Sequence, residues 1–234
     1  AFGASGSELA GNIASGAAKF GLVLNDVVSR RDSSGIQVSG TSVTGKSLMA
    51  INVRDATHLL FYSDDAIHCG APDETSVVKT IDRTREFFEV AVAGADPDAK
   101  TADVEQVFAV ASVLIASDTL GAAQAMLDKA VVYASEREQF GRPIAEFQGL
   151  QWILAEMSTD LEAARGLIYR AAVSRGASGH FPEATLAAQA KMFTSENAIG
   201  IVSNALQLFG AAGYSRNNPL ERMYRDVRMF TIGG

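Results

Sequence analysis

The sequence predicts an α+β protein: a small β-domain over residues 1–99, followed by a four-helix up-down bundle over residues 100–234. Three observations point there. Glycine-punctuated, alternating stretches crowd the first half. Long helical periodicities with short breaks fill the second. Between them, "AGADPDAK" (93–100) interrupts the pattern with Asp and Pro and sets the expected boundary.

The opening "ASGSELAGNIASGAAKFG" is rich in Gly, Ala and Ser and reads equally as a loose helix or a loop. "SGIQVSGTSV" (34–43) alternates around glycines as a strand or hairpin does. "ATHLLFYSD" (56–64) and "EFFEVAVAG" (86–94) have strand length and strand composition. The first helix is expected over 104–136, apolar nearly all round until about Ala130, which suits burial on several sides. The second, over 147–175, sets Leu150, Ile153, Leu154, Met157, Leu161 and Ala164 at helical spacing. The third opens at Pro182 and closes at Gly210, and a shorter fourth spans 219–230, again opened by Pro.

Hydrophobic residues make up 47 % of the chain and charged residues 20 %, enough to build a core and too apolar for disorder. The net charge of −7 argues against nucleic acid as a partner. The single cysteine, Cys69, excludes a disulfide framework within the chain and makes the cytoplasm the plain expectation. Beside His68 it reads as an incidental loop residue. No signal peptide is visible, and no apolar run is expected to reach the roughly 18–20 residues of a membrane span. There is no HExxH pair, Cys/His cluster, GxSxG elbow or P-loop. The histidines at 58, 68 and 180 fall in separate elements and read as unrelated surface or loop residues.

The informative stretch is "YASEREQFGRPIAEFQ" (133–148), a charged corner broken by Gly141 and Pro143 between two long helices. It carries Arg137, Phe140, Gly141, Ile144 and Gln148. Gln207, Gly210, Ala211 and Gly213 follow, then Tyr224, Arg225, Asp226 and Arg228. Each group is weak alone. Taken in order at this spacing, the set resembles the C-terminal half of the acyl-CoA dehydrogenase family. The resemblance covers 104–234 well and 1–99 thinly, through "SGSELAG" (5–11) and "DSSGIQVSGTSVTGKSLMAINVRDATHLLFYS" (32–63), with Ser39-Gly40 in a family turn position. The family's N-terminal helical domain has no counterpart within these residues.

The resemblance implies an FAD enzyme that removes two hydrogens from Cα–Cβ of an acyl-CoA thioester, with a carboxylate taking the α-proton. The family's two positions for that base fall on Gly234 and Ala111, and neither can accept a proton. Glu105 and Asp118 are the nearby acids, but Glu105 lies ~9 Å along the helix from Ala111. The subunit's own flavin cradle reads as degraded, with Thr44 where the family has an aromatic. The elements that reach a neighbouring subunit's FAD are kept: Arg137 toward the pyrophosphate, Phe140 against the cofactor, Gln139, Gln148 and Gln207 as hydrogen-bonders, and Gly210 and Ala211 for close backbone approach. Ala211 replaces a family glycine. The expectation is a non-catalytic partner in a heteromeric acyl-CoA dehydrogenase, α2β2, which completes the FAD site of a catalytic sister subunit. By analogy the acyl-CoA is a steroid side-chain thioester, and the electron acceptor is of the electron-transfer flavoprotein type. The alternatives are a homo-oligomeric dehydrogenase with a relocated base at Glu105 or Asp118, a structural partner that touches no flavin, and a flavin monooxygenase or nitroalkane oxidase relative.

Overall fold

A computed structural model of the chain describes residues 11–23, 36–63, 66–101 and 103–233. The chain divides into two compact units, residues 1–104 with 233–234, and residues 105–232.

The first unit is a closed five-stranded barrel with a separate hairpin. Its strands are β1 (Phe20–Val23), β4 (Lys46–Ile51), β5 (His58–Ser63), β6 (Ala66–Val78) and β7 (Phe87–Thr101), in the order β1-β4-β7-β6-β5. The hairpin pairs β2 (Gln37–Ser39) with β3 (Ser42–Thr44). Closure comes from β1, which pairs antiparallel with β4 and parallel with β5, so no edge is left open. Strand β5 alternates half-buried and buried residues along its whole length, and Leu59 and Phe61 enter a core with Val23, Ile36, Ala50 and Val90.

Three expectations need correction here. Phe20 and Gly21 belong to a strand, not to a loose helix or loop, although residues 11–14 do make a helical turn. His68 and Cys69 are not loop residues. They lie in β6, 6 % and 1 % exposed, with His68 stacked on Phe61 and its Nε2 3.0 Å from the Ser63 carbonyl oxygen. "AGADPDAK" is not a break, because β7 runs through it to Thr101. The register slips between His68 and Gly70, and the extra residues around Pro97 fall in that irregularity, where a missing N–H costs no ladder bond. Residues 5–10 and 32–35 of the proposed β-domain echoes lie outside the described residues.

The second unit is helical. It comprises α1 (Val104–Glu136), α2 (Gln148–Ala172), α3 (Ala184–Phe209), the short α4 (Ala211–Tyr214) and α5 (Leu220–Ile232). At one end, Gln106 on α1 exchanges two hydrogen bonds with the Phe181 backbone before α3, one of them 2.7 Å from Phe181 N–H. At the other end, Tyr133 on α1 stacks on Phe209 of α3. The two helices therefore run parallel, with α2 antiparallel between them. Met157, Leu161, Ala164, Ile168 and Ala171 from α2 join Ala116, Met126 and Ala130 from α1 and Ala198, Val202 and Ala205 from α3 in one core. The Arg165 guanidinium on α2 donates to Gln124 Oε1 on α1 at 2.8 Å. Glu183 caps α3 by accepting from the N–H groups of Thr185 and Leu186 at 2.9 and 2.8 Å.

Helix α1 departs from expectation twice. Its buried residues, Ala109, Ala116, Ala123, Ala130 and Ala134 among them, form one face, while Val107, Val110 and Leu114 are exposed. The helix is thus not buried on several sides. It is also long and apolar enough to cross a membrane by length and composition alone, contrary to the expectation of no such run. Within this unit, that apolar character supplies the α1 share of the bundle core.

Candidate functional site

The corner between α1 and α2 is a miniature β-hairpin. Glu138 pairs with Pro143 and Gln139 with Arg142, leaving Phe140-Gly141 as a two-residue loop. Both loop residues have positive φ, 55° and 77°, as a type I′ turn requires. Gly141 adopts that conformation without cost, whereas Phe140, with its Cβ and ring, is strained there. Phe140 is also 93 % exposed. Glycine or asparagine would serve the turn better, so the hairpin holds an aromatic outward at the expense of local stability. The base of the hairpin is pinned by α1: the Arg137 N–H donates to the Tyr133 carbonyl, and the Ile144 N–H donates to the Arg137 carbonyl, both at 2.8 Å. Gln151 Nε2 holds the Ala145 carbonyl at 2.9 Å on the α2 side.

Arg137, Gln139 and Gln148 are exposed, with Phe140, around this corner. Gln139 donates to the adjacent Glu138 carbonyl at 2.7 Å. No hydrogen bond or ion pair within the described residues takes the Arg137 guanidinium. Gln207, Gly210 and Ala211 are exposed at the far end of α3. Gly210 has φ 58°, and its N–H donates to the Gln207 carbonyl at 3.1 Å. Within the chain its visible role is therefore to stop α3 in a positive-φ conformation that glycine readily adopts, not to hold an N–H ready for a ligand. The Tyr133–Phe209 stack joins the two regions, with ring centroids 4.1 Å apart. Those rings floor a groove of about 420 Å³, which Asp128, Lys129, Glu136 and Asn218 border.

The structure also supplies residues that the sequence pattern does not single out. Arg142 stacks its guanidinium 4.3 Å over the Phe147 ring, and Phe140 meets the same ring edge to face at 6.2 Å. Nothing in periodicity marks these contacts. The only hint is that an Arg and a Phe flank the Pro-Ile turn.

Ala111 is half-buried in the first turns of α1, and Gly234 lies outside the described residues. Ala111 is 26 positions from Arg137, roughly 40 Å along the helix at ~1.5 Å per residue. Glu105 Oε2 lies 3.5 Å from His180 Nδ1 at the start of α1, and Asp118 is exposed on the same helix. No group of three or more potential metal ligands occurs among the described residues.

Residues 102–234 match the family described as acyl-CoA dehydrogenase, C-terminal domain. The 3-sulfinopropanoyl-CoA desulfinase of Cupriavidus necator is 56 % identical over 115 residues, 49 % of this chain and 28 % of that protein. The caffeyl-CoA reductase–Etf complex subunit CarC of Acetobacterium woodii is 44 % identical over 119 residues, 50 % of this chain and 31 % of that one. The chain thus spans less than a third of the length of these curated relatives. Among solved structures, the Tcur3481-Tcur3483 steroid ACAD superposes with a TM-score of 0.82 over 97 % of this chain and 66 % of that one. At 22 % identity it shows the fold alone.

Proposed function

The chain belongs to the acyl-CoA dehydrogenase family, and from that premise we propose that it is the non-catalytic subunit of an FAD-dependent acyl-CoA dehydrogenase. In this reading it completes the FAD site of a catalytic sister subunit in a cytoplasmic α2β2 assembly. The carrying observation is the separation along α1. The base position Ala111 and the outward corner at Arg137 stand roughly 40 Å apart, farther than one dinucleotide spans. One chain cannot apply both to the same flavin, so the corner serves a cofactor held elsewhere.

The residues fit such a cofactor. Arg137 would pair with the pyrophosphate, Phe140 would pack on the cofactor, and Gln139, Gln148 and Gln207 would hydrogen-bond it. Bound FAD supplies the two-electron chemistry of acyl-CoA oxidation. This chain's part is to neutralise charge and exclude water at a subunit boundary. The α-proton is left to a carboxylate of the sister subunit, since Ala111 has no acceptor. Glu105, occupied with His180, is a poor candidate for a relocated base. The substrate is an acyl-CoA, with a steroid side-chain thioester as the specific suggestion. The likeness to the Etf-complex subunit of Acetobacterium woodii supports an electron-transfer flavoprotein as redox partner, which for an oxidation would be the acceptor. The test is to express the chain alone and with the product of its neighbouring gene, then measure bound FAD and acyl-CoA oxidation. Full flavin loading and activity in the lone chain would refute the proposal.

A second reading has its own support. The 56 % identity to a 3-sulfinopropanoyl-CoA desulfinase exceeds the 44 % to the reductase subunit. A sulfino-acyl-CoA is then the substrate, and no base at Ala111 is called for. Sulfite release from 3-sulfinopropanoyl-CoA by the same preparations, without acyl-CoA oxidation, would favour it.

A further inference from the structure

Arg142 has a setting that the motif does not account for. Its partner across the hairpin is Gln139, and the Arg137 carbonyl continues the ladder by accepting the Ile144 N–H. Strand alternation therefore places Arg137, Gln139 and Arg142 on one face of the hairpin and Glu138 on the other. Stacking on Phe147 occupies only the flat side of the Arg142 guanidinium, 4.3 Å from the ring centre. The in-plane N–H donors point away from that contact. Among the described residues, no hydrogen bond or ion pair takes the donors of either arginine. Two guanidiniums with available donors on one face can together take a single anion that carries two negative charges. Phe147 also fixes Arg142 beforehand, which lowers the cost of ordering it on binding.

We propose that Arg142, held in place by Phe147, binds the same dinucleotide pyrophosphate as Arg137, one guanidinium for each of its two negative charges. This rests on the reading of the corner as an FAD contact. The test uses the FAD-binding complex, stripped of flavin and titrated with FAD at low and high salt. Arg142→Gln is expected to weaken FAD binding about tenfold, the loss of one charge-assisted hydrogen bond. It should also flatten the salt dependence, which a purely structural defect would not do. Phe147→Leu should weaken binding several-fold and Phe147→Tyr should restore it, while Glu138→Gln on the opposite face should change nothing. If Arg137→Gln loses affinity and Arg142→Gln does not, or loses it with an unaltered salt dependence, this inference fails alone. If neither variant changes FAD binding, the corner reading beneath it fails.

Discussion

Tyr133 and Phe209 stack with their ring planes 16° apart, and this pair couples the end of α1 to the end of α3. The coupling matters because each ring sits directly beside a candidate contact region. The Tyr133 carbonyl accepts the Arg137 N–H, and Phe209 immediately precedes Gly210. Truncating either ring should cost about 0.5–1.5 kcal/mol beyond lost burial. A double-mutant cycle of Tyr133→Leu and Phe209→Leu by urea denaturation should show coupling of that size. Additive effects would mean the rings touch without supporting each other.

Phe140 makes a trade between stability and contact. Its left-handed backbone is strained, and its ring is almost wholly exposed. Phe140→Asn places a residue that tolerates positive φ in the same turn. The isolated chain should gain about 1 kcal/mol, the lower range of such backbone strain. The flavin content of the assembly should fall at the same time. Denaturation midpoints and flavin absorbance on the same preparations would check both halves. A variant that keeps its flavin would remove Phe140 from the contact set.

The helices were legible because their signals are local: the α2 stripe of Met157, Leu161 and Ala164 appears in the core as the period predicts. The barrel was less so. Strand β6 carries Gly70 and Pro72 at register shifts, features that read as turns until a partner strand absorbs them. Strand β1 is fixed by pairing with β5, a contact that no local pattern announces. At the corner, the chain break was visible but its form was not. Hairpin loops are recognised by Asn-Gly or Asp-Gly, and a Phe-Gly loop hides the turn because the aromatic contradicts its backbone. Arg142 and Phe147 escaped notice for a related reason: their contact is spatial, and neither residue lies on a periodic face.

Cys69 should behave as a core residue. Burial pushes its thiol up to about 11, with the nearby Asp96 charge adding to the effect. The native protein should therefore resist thiol reagents at mildly alkaline pH and react fully once unfolded. The sign of the pH effect follows. Stability from this group is intact below the ordinary thiol value of 9.0. It falls as pH rises from there toward 11, because only the unfolded state releases its proton in that window. Cys69→Ser should abolish this alkaline component in pH-dependent denaturation. Rapid labelling of the native protein would contradict the burial argument.

Glu183 gives the opposite dependence. Two backbone N–H groups, those of Thr185 and Leu186, hold its carboxylate below the usual range at the start of α3. A depressed value means the native state favours the charged form. The cap is fully present above the ordinary glutamate value of 4.5 and is lost as pH falls below it. Glu183→Gln keeps an acceptor but removes the charge, and Glu183→Ala removes both. The thermal midpoint should drop in the order wild type, Gln, Ala near neutrality. The wild-type advantage over Gln should vanish in acid. An advantage that persists in acid would show that the charge has no part in the cap and that hydrogen bonding alone sustains it.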